Sequence, residues 1–73
     1  MPDKYSVFIL WSNEDDGYIA ISPELEGLSA FGETKTAALR ELDSAISGYM
    51  AVLEEDGIRF PDPVTLENIA TER

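Results

Sequence analysis

The chain has 73 residues, a formal net charge of −10 from 15 acidic and 5 basic side chains, no cysteine and no histidine. That length supports one domain, residues 1–73, and an apolar fraction of 44% suits a folding chain rather than a disordered one. Disulfides, thiolate or imidazole metal sites, Ser-His-Asp triads and histidine general bases are all excluded, and the negative field disfavours nucleic-acid backbones and anionic membranes.

Residues 5–11, YSVFILW, are aromatic and β-branched and read as a first strand. Ser12-Asn13-Glu14-Asp15-Asp16-Gly17 is a polar turn closing a hairpin, with Gly17 free to take a positive φ. Tyr18–Ser22 is the second strand. Pro23 ends its ladder pairing, Gly27 permits a sharp re-entry, and Leu28–Phe31 forms a short third strand of an antiparallel meander. Thr34 is placed to cap a helix, without a full capping box because Ala37 stands where Glu would complete it. Leu39, Leu42, Ile46, Tyr49 and Leu53 recur in three- and four-residue steps and make the helix's apolar stripe. Gly57 suits the C′ position that ends it. Ile58-Arg59-Phe60 is expected as a brief fourth strand, returned by a right-handed crossover to lie beside and parallel to the first. The folded core then spans about residues 4–61, and 62–73 is a tail in which Leu66 and Ile69 suggest half a turn of amphipathic helix. The fold class is α+β, in the order βββαβ.

Pairing the hairpin across Ser12–Gly17 sets Trp11 opposite Tyr18, Leu10 opposite Ile19, Ile9 opposite Ala20 and Phe8 opposite Ile21. One face then carries Phe8, Leu10, Ile19 and Ile21, and the other carries Tyr5, Val7, Ile9, Trp11, Tyr18 and Ala20. Both are apolar, and one helix covers only one of them. The simplest arrangement puts the Leu39–Leu53 stripe on Phe8, Leu10, Ile19, Ile21 and Phe31. Val7, Ile9, Trp11, Tyr18 and Ala20 are then left as an interface, unless the fourth strand and the tail fold over them. Ser44, Gly48 and Ala51 form a ridge of small residues on the helix, a second candidate contact. A chain this short balances near zero stability alone, so a homodimer or higher oligomer is expected.

Candidate chemistry is sparse. Asn13, Glu14, Asp15 and Asp16 lack the spacing of a cation loop and read as a solvated hairpin tip. Glu24 and Glu26 flank Leu25 and project apart. Glu54, Glu55 and Asp56 crowd a helix C-terminus against its dipole, which suits solubility or a basic partner. Ser22 and Ser29 have no base beside them, and Lys35 sits at an exposed helix start. These residues favour an interaction module over an enzyme, with no catalytic residue, cofactor or metal.

The Tyr-x-Val-x-Ile-x-Trp strand, the stretch DGYIAISPELEGLSAFGET, and then AALRELDSAI and LEEDG together resemble the HicB-like antitoxin family over residues 5 to about 61. PELEGLSAFGET is the most specific part. It is similar to a Pro-(Glu/Asp)-Leu-Pro-Gly turn, here structured by Pro23 and Gly27, followed by a Gly-(Asp/Glu)-Thr helix entry at Thr34. Glu26 stands where Pro is common, and Lys35-Thr36 replaces Pro-Glu. The resemblance implies a partial, degraded ribonuclease-H-like βββαβ fold. It also implies neutralisation of a small basic HicA-type toxin, an mRNA-cleaving ribonuclease. Longer members carry a DNA-binding domain, which is not expected in a chain stopping at Arg73. Nuclease activity is not expected either, since the strand Tyr5–Trp11 holds no carboxylate. The alternative is a free-standing oligomeric module that binds protein or a small ligand without a toxin.

No apolar run approaches the roughly 20 residues that span a bilayer, and Met1-Pro2-Asp3-Lys4 is unlike a signal peptide, so a cytoplasmic protein is expected.

Overall fold

The computed structural model describes residues 4–70, with the side chains of 69 and 70 left aside. The strands β1 (Phe8–Ser12), β2 (Gly17–Ser22) and β3 (Leu28–Gly32) form an antiparallel sheet in the order β1-β2-β3. A long helix, α1 (Lys35–Glu55), packs on one face, mainly over β3 and β2, and a short helix, α2 (Leu66–Ala70), follows. Among the described residues no helix is long and apolar enough to cross a membrane.

The hairpin register is the expected one, with Phe8 facing Ile21, Ile9 Ala20, Leu10 Ile19 and Trp11 Tyr18. Its turn is locked by the Ser12 hydroxyl, which donates to Asp15, and by the Asp16 N–H, which donates to the Ser12 carbonyl at 2.9 Å. The positive φ of this turn falls on Asp16, at 55°, and not on Gly17 as expected. Asp tolerates that left-handed value through its short polar side chain.

β1 begins at Phe8, three residues later than the expected strand. Extending the register would set Ser6 opposite Pro23, which has no N–H to give, so the ladder ends there. Pro23–Leu25 form one 3₁₀ turn that drops Leu25 into the core. Glu26 at φ 60° and Gly27 at φ 74° then reverse the chain into β3. A φ of 60° is closed to proline, whose ring holds φ near −65°. The turn is therefore built differently from a Leu-Pro-Gly turn.

Thr34 caps α1 as expected, its Oγ1 accepting the Ala37 N–H at 3.0 Å. The other end closes with Gly57 at φ 68°. There the Ile58 N–H donates to the Leu53 carbonyl at 2.9 Å and the Gly57 N–H to that of Glu54 at 3.2 Å, a Schellman closure.

Residues 58–60 form no strand, so the expected fourth strand is absent among the described residues. The chain does return beside residues 5 and 6: the Tyr5 hydroxyl donates to the Pro61 carbonyl. Pro61 and Pro63, just past the expected strand, have no N–H with which to extend a ladder beyond Phe60. Within the tail, the expected amphipathic segment is helical at Leu66–Ala70, but Leu66 is exposed, the Ile69 side chain lies outside the described ones, and residues 71–73 lie outside the described residues.

Candidate interaction surfaces

The helix covers the opposite sheet face from the one expected. Ala20 is fully buried, and Val7, Ile9, Tyr18, Leu28 and Ala30 pack around it against Ala38, Leu42 and Ile46. Phe8 and Leu10, expected in the core, are each 57% exposed, and Phe31 is 43% exposed. Ile19 and Ile21 are half-buried beside them. Val7, Ile9, Tyr18 and Ala20 are therefore helix-facing and not an open interface.

Clearance explains the reversal. Gly32 closes the helix-side face, and a Cβ there would sit 2.1 Å from the Ala38 nitrogen. With Ala20 and Ala30 in neighbouring rows, this face lets a helix backbone approach closely, whereas the Phe8 face holds it off. The helix stripe turns to match. Ala38, Leu42, Ile46 and Leu53 are buried and Tyr49 partly so, while Leu39, expected in the stripe, is exposed.

The strand positions of the open face carry no charge. Its rows run Phe8–Ile21–Ser29 and Leu10–Ile19–Phe31. The Phe31 ring lies over Gly17, where an added Cβ would come within 2.5 Å of Phe31 Cε1, so a side chain at 17 would displace the ring. No charged residue of the three strands lies on this face.

Trp11 lies at the helix-side corner, half-exposed, with its indole N–H donating to Asn13 Oδ1 at 2.8 Å and its ring edge-on to Tyr18 at 5.2 Å. The Lys35 ammonium stands 5.9 Å from the Tyr18 ring centre. Ser44, Gly48 and Ala51 are exposed on the helix, and a Cβ at Gly48 would meet open space.

Glu24 has a role that sequence reasoning missed. Its carboxylate accepts the Ser6 N–H at 3.1 Å, the Ser6 hydroxyl at 3.0 Å and the Val64 N–H at 2.8 Å. It thereby ties both ends of the described chain to the turn between β2 and β3. Burial pushes its pKa up. The bonds from Val64, from Ser6 and from its own backbone outweigh that effect and hold it below the ordinary 4.5. A depressed carboxylate stabilises the fold above its unfolded pKa, and that contribution is lost as pH falls through the folded value. Glu24→Gln should therefore lower stability by about 1–2 kcal/mol at neutral pH. In denaturant titrations at several pH values, the gap between the two proteins should close below pH 4.5. A gap constant with pH would show that the charge is not involved.

The other described carboxylates are exposed, and among the described residues only Asp62 meets a basic side chain, Arg59 at 3.2 Å. No group of three or more Asp or Glu among the described residues converges to hold a metal ion. Ser22 is fully buried, and its hydroxyl finds no hydrogen-bond partner among the described residues. Comparison with protein-family models, with curated proteins and with solved structures finds no match for this chain.

Proposed function

We propose that the chain is a HicB-like antitoxin, a non-enzymatic module that binds and neutralises a small basic HicA-type toxin. The observation that carries this reading is the state of the carboxylates. Apart from Glu24, the described ones are exposed, spread over the hairpin tip, the helix and its C-terminal end, and among the described residues only Asp62 has a basic side chain beside it. Such a surface draws in a cation-rich partner at a rate that falls with salt. The motif resemblance and the strand-strand-strand-helix order support the same reading. In it, the fold is a partial ribonuclease-H-like βββαβ unit whose last strand is reduced to the segment 58–60. Glu24, the most enclosed of the carboxylates described, is committed to Ser6 and Val64, which favours a binding role over a catalytic one. A free-standing oligomeric module without a toxin is the second reading, favoured by the exposed Phe8, Leu10 and Phe31.

The test starts at the neighbouring reading frame, which should encode a short basic protein, and proceeds by co-expressing the two. The two should co-elute at low salt, separate as salt rises, and lose RNA cleavage when combined. Separate elution at low salt with undiminished RNA cleavage would refute the reading. Incubated alone with RNA and Mg²⁺ or Mn²⁺, the chain should release no product.

A further inference from the structure

We infer that the open sheet face is a self-association surface, where a second copy of the chain stacks its own Phe8, Leu10 and Phe31 face to face in a two-fold dimer. A folded monomer of 8.1 kDa exposes about 4,500 Å² by the general scaling of surface with mass. This chain exposes 5448 Å², about 950 Å² more, an excess shared between this face and the exposed segment 58–68. A stable interface of standard size removes about 800 Å² from each partner. Compactness gives the same indication. The radius of gyration is 13.4 Å, against about 11 Å for a compact domain of this length, and the thinnest extent is only 17 Å. Among the described residues the helix layer covers one sheet face and nothing covers the other, where Phe8, Leu10 and Phe31 stay exposed.

Charge selects the occupant. A basic partner needs carboxylates at the contact, and the strand positions on this face have none. A second copy meets no like charge at the centre, which is the requirement for two chains of −10 to associate. The two-fold operation buries the same apolar rows on both chains, at the roughly 10 Å spacing of stacked sheets. The charges outside the contact repel one another, so the dimer tightens as salt screens them.

Sedimentation equilibrium on the full chain alone tests this, independently of whether a toxin partner exists. The chain should run at twice its 8.1 kDa mass, with a dissociation constant that falls between low and high salt. Leu10→Lys should weaken the dimer by at least about 100-fold and leave the circular dichroism of the monomer unchanged, because Leu10 is exposed before association. Leu10→Ala, which adds no charge, should weaken it by about tenfold. Val52→Lys, at an exposed helix position, should leave it unchanged. A monomer at both salt concentrations would overturn the inference, whether the tail or a foreign partner covers the face. So would a dimer that resists both Leu10 variants, or one that Val52→Lys disrupts as strongly as Leu10→Lys.

Discussion

Gly32→Ala should unfold much of the population at 37 °C, although it adds a single methyl group. Gly32 ends β3 opposite Tyr18 and is buried under the first turns of α1. The new Cβ would fall 2.1 Å from the Ala38 nitrogen and 2.6 Å from both the Ala37 carbonyl carbon and Ala38 Cα. These are backbone atoms, so no rotamer change relieves the clash. The helix start must move, and it is held by the Thr34 cap at 3.0 Å and by the short link from β3. Overpacking of side chains costs about 1–3 kcal/mol, and a backbone clash belongs at or above the upper end. For a domain this small, about 3 kcal/mol lowers the melting temperature by roughly 12–24 °C. Thermal unfolding followed by circular dichroism measures this directly. Gly48→Ala is the control, since its Cβ meets open space and it should be neutral or stabilising by up to about 1 kcal/mol. A Gly32→Ala protein with an unchanged transition would mean that helix and sheet do not approach as closely as described.

What was legible in the sequence was what neighbouring residues decide. The hairpin register follows from one turn and one alternation. The Thr34 cap and the Gly57 end depend on donors and acceptors within a turn of helix. The choice of sheet face was not legible from hydrophobicity, because both faces are apolar. The Phe8 face offered only the simpler arrangement, and backbone clearance decides for the other. The signal was present in Ala20, Ala30 and Gly32, which the register places together, and in the Ala37-Ala38 pair that opens the helix. Small residues on both sides of a contact mark close approach more reliably than large ones mark burial. Glu24 was illegible for a different reason. Its partners Ser6 and Val64 lie 18 and 40 residues away, and no local pattern connects them.

Leu42→Ala should be as damaging as Gly32→Ala by the opposite mechanism, a void instead of a clash. Leu42 is 0% exposed, sits midway along α1 and belongs to the cluster with Ala20, Leu25, Ala38 and Ile46. Removing its three outer carbons costs the transfer energy of those atoms and a cavity term, together about 2–5 kcal/mol. The void does not collapse cheaply, because Ala20 and Ala38 of the same cluster carry only methyl groups with which to fill it. Total stability for a small domain is only about 5 kcal/mol, so Leu42→Ala leaves a substantial unfolded fraction at room temperature. Ile46→Ala, at 2% exposure one turn further on, should behave in the same way. Val52→Ala on the same helix, exposed to solvent, should stay within about 0.5 kcal/mol of the unsubstituted chain. Urea titration followed by Trp11 fluorescence separates the three variants. Association through the Phe8 face would raise the stability of all of them with protein concentration, so the comparison is made at one concentration below the dimer's dissociation constant. A Leu42→Ala protein as stable as Val52→Ala would place the core elsewhere, and with it the assignment of the open face.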